Sequence, residues 1–188
     1  MDHLLTQLFV RWLHRDAARR IPQESVQAGT YVLSYGWPVK ALGFVGTVMM
    51  TALVFGPLVS GDAPRILNNL RNNPFIAAFL ALVFGGLLFL GWGLLNESFR
   101  TSIEVSPDEI VANSAWVGRK VIRWDEIEEV SWSQSSNWFV IRSTTGVKIR
   151  VSSLIGGVVY LTIQLRQLVP DSKLVKAVPG FHVVDSML

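Results

Sequence analysis

The sequence predicts an α+β protein: a two-helix transmembrane hairpin followed by an antiparallel β-barrel or sandwich capped by a C-terminal helix. Three observations carry this. Residues 39–59 and 75–95 are almost free of ionisable side chains, with only Lys40 at the mouth of the first. Each matches the roughly 20 residues that a helix needs to cross a hydrocarbon core of about 30 Å. From Phe99 onward, short alternating apolar and polar runs are punctuated by turn residues, and a longer apolar-periodic segment at 156–168 stops before Pro170.

Composition agrees. Half of the 188 residues are hydrophobic and only 16% are charged, where a soluble domain carries about a quarter. The net charge is +3 without a dominant basic block, which excludes a nucleic-acid footprint. The chain has no cysteine, so disulfide and thiolate chemistry are excluded too.

Taken in order, residues 1–36 form an N-terminal segment whose first part predicts an amphipathic helix. Leu5, Phe9, Trp12 and Leu13 share one face, while Gln7, Arg11, His14 and Arg15 lie elsewhere. An apolar face with Trp opposite basic residues suits a helix lying in a membrane interface. The same face would serve equally to pack on the protein's own folded domain. The basic residues follow the apolar ones and Arg11 interrupts them, so the segment does not read as a signal peptide.

Residues 37–96 make the hairpin, with spans at 38–59 and 75–95 and a polar connector rich in Asn and Pro. Five Lys and Arg precede or open the first span, two lie in the connector and ten follow the second span. The positive-inside rule then puts both termini in the cytoplasm. Tyr35, Trp37, Lys40 and Trp92 stand at that same interface as anchors, with Tyr31 nearby. Small residues at Ala77, Ala81 and Gly85, with Gly43 and Gly46 on the first span, suggest close helix packing. No ionisable residue sits within either span's middle, so an ion or substrate pathway is not expected.

The C-terminal half reads as strands. Ser102–Ser106 runs into a Pro107–Asp108 turn; 110–117 and 120–124 are separated by Gly118 and Arg119. Residues 136–143 and 147–153 flank Thr144-Thr145-Gly146, a three-residue loop with glycine that predicts a bulged hairpin. Pairing Ser143 with Val147 sets Ile141 opposite Ile149 and Phe139 opposite Val151, with Arg142 and Lys148 together on the other face. The helix at 156–168 closes the unit, and 171–188 is a tail without an assigned structure.

Between these strands, RWDEIEEVSW (123–132) carries Asp125, Glu126, Glu128 and Glu129. Trp124, Ile127 and Val130 recur every three residues, which predicts a turn buried on one side with its carboxylates in water. A metal site or a membrane-bound enzyme built on this cluster is the remaining alternative, since hard cations take clustered carboxylates. The stretch nevertheless lacks the glycine and polar spacing of a calcium loop.

Residues 99–170, from SPDEIVANSAWVGRKVIRWDEIEEVSWS through WFVIRSTTGVKIRVSS to VVYLTIQLRQLVP, resemble the bacterial pleckstrin-homology-like domains. In that family a Trp, acids and an Ile lead into a strand, as Trp124 to Val130 do here. The resemblance implies a PH-like fold after a membrane hairpin, in a bacterial cytoplasmic membrane, and no cofactor.

For function, His3, His14 and His182 are coupled to no serine or acid in a recognisable constellation, so catalysis is not expected. Protein interaction or assembly at the membrane fits better, with Trp138, Val140, Arg142, Lys148 and Arg150 as the candidate face. The partner would be another protein or a second copy. The alternative is contact with anionic membrane lipids, for which Arg119 and Lys120 are the candidates.

Overall fold

In the computed structural model the chain is described over residues 2–20, 22–24, 29–59 and 63–187. Side chains are described for all of these except 2–10, 23–24, 57–58 and 66–67. The chain divides into two units, Met1–Val39 with Arg100–Leu188, and Lys40–Phe99.

The first unit is built on two antiparallel sheets. One contains β1 (Gln23–Glu24), β2 (Tyr31–Tyr35), β3 (Ser102–Val105), β4 (Glu109–Ser114) and β5 (Gly118–Arg123), paired in that order. The other contains β6 (Ile127–Ser133), β7 (Trp138–Ser143) and β8 (Lys148–Ser152). A short β9 (Ile155–Gly156) leaves the second sheet and pairs with β2 of the first. The expected barrel is not formed, because no ladder joins β5 to β6 or β8 among the described residues. The sheets meet instead through one shared core, in which Leu33, Ile103 and Ile122 of the first cluster with Phe139, Ile141 and Ile149 of the second, and the Lys120 amine donates to the Lys148 carbonyl at 2.9 Å.

Period-two alternation buries Ile103 and Val105 of β3, Phe139 and Ile141 of β7, and Ile149 and Val151 of β8. The predicted β7–β8 register is the observed one, with Phe139 opposite Val151 and Ile141 opposite Ile149. Gly146 makes the turn possible by adopting φ +83°, a conformation that costs other residues energy. Elsewhere a turn moves: β4 ends at Ser114, so Trp116 and Val117 stand exposed on a hairpin tip, not in a strand.

Helix α1 (Asp2–Arg19) buries Leu13, Ala17 and Ala18 against this unit, where α1 borders β9 and the closing helix α5 (Val158–Leu168). Partial burial holds the His14 imidazole below its ordinary value of 6.5. Trp12 is exposed, and the Leu5 and Phe9 side chains fall outside the described residues. The tail is ordered into α6 (Asp171–Leu174), a 3₁₀ turn (Val175–Ala177) and α7 (Val178–Asp185), which pack along β6. Phe181 meets Phe139 with ring centroids 5.6 Å apart. Gly180 is required here, since a Cβ would lie 2.4 Å from the Trp132 ring.

The largest departure from the sequence reading is β2. Tyr35, expected as a membrane anchor, is the last residue of a strand and packs partly buried against the core. Leu33 is fully buried directly opposite Ile103. The folded unit therefore includes chain from both sides of the apolar helices.

The second unit comprises most of α2 (Trp37–Val59) and α4 (Pro74–Arg100), with α3 (Ala63–Asn72) between them. Both long helices are long and apolar enough to cross a membrane. Large apolar side chains such as Phe44, Leu53, Phe79 and Leu82 project outward. Helix packing does not follow the expected small-residue stripe: Gly46, Gly85 and Gly86 face open space. It runs through Gly43 against Leu95 and Ser98, and through Thr47, whose hydroxyl lies 2.8 Å from the Gly43 carbonyl and 3.0 Å from that of Gly91. Its single proton can serve either carbonyl, and in an apolar medium a hydroxyl needs such a partner. The connector, expected as a polar loop with a short helical turn, forms a ten-residue helix because Pro64 suits a first turn and Ile66, Leu67 and Leu70 recur at helical spacing.

Leu33→Ala is expected to destabilise the folded unit by about 2–5 kcal/mol, as for other truncations of fully buried leucines. Chemical unfolding followed by tryptophan fluorescence measures it. A loss near zero would remove β2 from the core.

Candidate functional site

One face of the β6–β8 sheet is turned to the core and the other is free of covering elements over part of its area. On that outer face the register stacks three rows. Arg142 lies opposite Lys148, Val140 opposite Arg150 and Trp138 opposite Ser152. Ser131 and Ser133 of β6 continue the second and third rows beside Val140 and Trp138. All of these except Ser152 line a groove of about 320 Å³. Trp132 and Ser136 complete its wall at the end of the sheet.

All five residues expected to form an interaction face therefore share this groove. Val140 is 9% exposed at its floor, while Arg142 and Arg150 are exposed at its sides. The Arg150 guanidinium stands 6.0 Å from the Trp138 ring centroid, a cation–π arrangement that orders both side chains. Trp132 reaches the groove from the core side, its ring edge-on to Phe139 at 4.8 Å.

The electrostatics are one-signed. Three cations line the groove, and among the described residues no carboxylate does. The nearest acid in register, Glu129 opposite Arg142, is bound to Lys176 of the tail at 2.6 Å. The hydrogen bond from Lys176 holds its carboxyl below the ordinary 4.5, against an opposing contribution from desolvation, with the charges of Lys176 and Arg142 adding to the lowering. Lys176 thus binds this carboxylate, whose charge also acts on Arg142, while among the described residues no carboxylate lines the groove beside Lys148 and Arg150.

The sequence reading had no signal for Ser131 and Ser133, and it marked Trp132 only as a strand tryptophan. Their positions depend on the β6–β7 register, which shifts at an irregularity between Ile127 and Glu129. That irregularity also explains the spacing of three: Trp124, Ile127 and Val130 are all buried, through a turn followed by a bulged strand. The acids of the stretch lie outside. Asp125 is exposed and 3.3 Å from Arg123, and Glu128 is exposed. No three His, Asp or Glu side chains converge on a metal position among the described residues.

Other expected residues scatter. Arg119 is exposed on the β4–β5 hairpin, but the Lys120 amine is spent on the Lys148 carbonyl. Trp37 and Trp92 are exposed on the apolar helices, and Lys40 lies 5.5 Å from the Phe99 ring centroid. His14 is on α1 and His182 on α7, within different elements.

Neither a protein-family model nor a curated protein matches this chain.

Lys176→Met removes the hydrogen bond that holds the Glu129 carboxylate. Carbon-detected NMR titration of that carboxyl should give a midpoint below 4.5 in the native chain and a higher one in the variant. An unchanged midpoint would mean that Lys176 does not hold it.

Proposed function

We propose that the chain is a non-catalytic integral membrane protein that displays a PH-like domain on the cytoplasmic side for interaction or assembly with another protein. The observation that carries the reading is the groove on the outer face of β6–β8, where Trp138, Val140 and three cations meet. Aromatic residues and arginine over a small apolar floor are what interface centres favour.

Two further features support it. Only Gly36 separates β2 from α2, and only Thr101 separates α4 from β3, so single residues connect the strands to two helices with the length and apolarity of membrane spans. Two antiparallel sheets with a helix over their core also suit the family resemblance of residues 99–170, now extended by β2. The Arg and Lys distribution favours cytoplasmic termini, and the family resemblance favours a bacterial membrane.

A second reading, contact with anionic headgroups, has its own support in the exposed Trp116 and Val117 beside Arg119. An apolar tip next to a cation can dip into a headgroup layer. It draws less from Lys120, whose amine is already engaged.

Site-specific photo-crosslinking in intact membranes separates the two. With benzoylphenylalanine at position 138, the account expects a discrete protein adduct, absent when the probe is at Trp116. Lipid adducts at both positions and no protein adduct at 138 would contradict it.

A further inference from the structure

The groove is graded along the strand direction, and the gradient specifies a partner. Its first row holds two cations (Arg142 and Lys148) beside the Lys176-bound Glu129, its second mixes a cation with an apolar floor (Arg150 and Val140), and its third is aromatic and hydroxylic (Trp138 and Ser133). Successive rows on one face of a strand are two residues apart, roughly 6.6 Å. An extended peptide repeats its side chains on one face at that same interval. A headgroup phosphate, by contrast, is best held by cations that converge on a single point, and these are spread over two rows.

Resting on the interaction reading above, we propose that the groove binds an extended acidic segment of a partner protein, with carboxylates at two alternate positions and an aromatic or apolar residue at the next alternate position. The two carboxylates meet Arg142 with Lys148, and Arg150. The third side chain covers Val140 and stacks on Trp138. Ser131 offers a hydroxyl to the peptide backbone, whose remaining polar groups stay in water along the open side, while the Ser133 hydroxyl is held by Ser136 and Ser135.

Charge complementarity carries the assignment. Arg142, Lys148 and Arg150 have no carboxylate partner in the groove among the described residues, and the one acid beside them is held by Lys176. A basic or neutral segment would leave Lys148 and Arg150 without a carboxylate, and Arg142 with only the Glu129 charge that Lys176 already binds. An aromatic side chain gains from Trp138 whether stacked or edge-on.

The test uses the full chain in phosphatidylcholine nanodiscs and a fluorescein-labelled probe peptide with the core Glu-Ser-Glu-Ser-Phe. A second peptide of the same composition places the two glutamates side by side. The first is expected to bind more tightly than the second, with affinity falling as salt rises. Arg142→Ala with Lys148→Ala should weaken it about tenfold, as for the loss of two partly exposed ion pairs. Arg150→Glu should abolish binding, and a peptide with Lys at the second acidic position should restore it, so a misfolded variant cannot mimic the result.

Equal affinity for both peptides, or indifference to the double variant, overturns the proposal. So does a groove that ignores peptide while its Trp138 emission shifts in phosphatidylglycerol discs in an Arg150-dependent way, because the ligand is then the membrane. If peptides fail but position 138 still cross-links to a protein, the acidic partner is wrong and the display function stands. If both fail, both fall.

Discussion

The structure depends on one strand pairing. Leu33 of β2 and Ile103 of β3 face each other in the core, although the whole of α2, α3 and α4 lies between them in the chain. Closing a pair across so long an insertion is entropically tolerable, since closure cost rises only slowly with loop length. It becomes easier still when the insertion is itself a hairpin. Gly43 lies against Leu95, and Thr47 against Gly91, so the two long helices run antiparallel and return the chain toward its point of departure. Packing between the helices thus serves the sheet.

Once β2 is in place, much else follows from it. It receives β9, which brings the end of the second sheet to the first, and through β9 it fixes the start of α5. Tyr31 of β2 stacks within 4.4 Å of Tyr160 on α5, whose hydroxyl is pushed up from its ordinary value mainly by burial. On the opposite flank, α6 and α7 cover β6, where the Lys173 amine donates to the Ile127 carbonyl and an otherwise open strand edge is protected. What remains uncovered is the outer face of β6–β8, and the groove lies there. Its position is a consequence of where the covering elements stop.

Legibility in the sequence tracked how local each determinant was. The β7–β8 hairpin could be read residue by residue, because a glycine turn and two-sided alternation fix one register. The two apolar helices were visible from composition alone. Five of the groove's residues were found together because they share one hairpin face. By contrast, β2 is five residues whose core partner β3 lies beyond the apolar helices, with only the two-residue β1 beside it in sequence, and its tyrosines looked like interface anchors beside an apolar run. The bulge near Glu128 disguised β6 as a turn of period three. The C-terminal tail has no strong periodicity, yet Leu174, Ala177, Phe181 and Val184 are buried because β6 supplies the surface they pack on. The small-residue stripe on α4 misled for the opposite reason: spacing alone does not say which face meets a neighbour, and a threonine hydroxyl seeking a carbonyl set the contact.

The most direct test of the account is to ask which pieces of chain fold. Residues 1–39 joined to 100–188 by a short Gly/Ser linker should form a soluble unit with dispersed amide NMR signals and a cooperative unfolding transition. Residues 100–188 alone, lacking β2 and α1, should not. A fragment 100–188 that folds alone with the same stability would contradict the claim that the strand ahead of the apolar helices completes the domain.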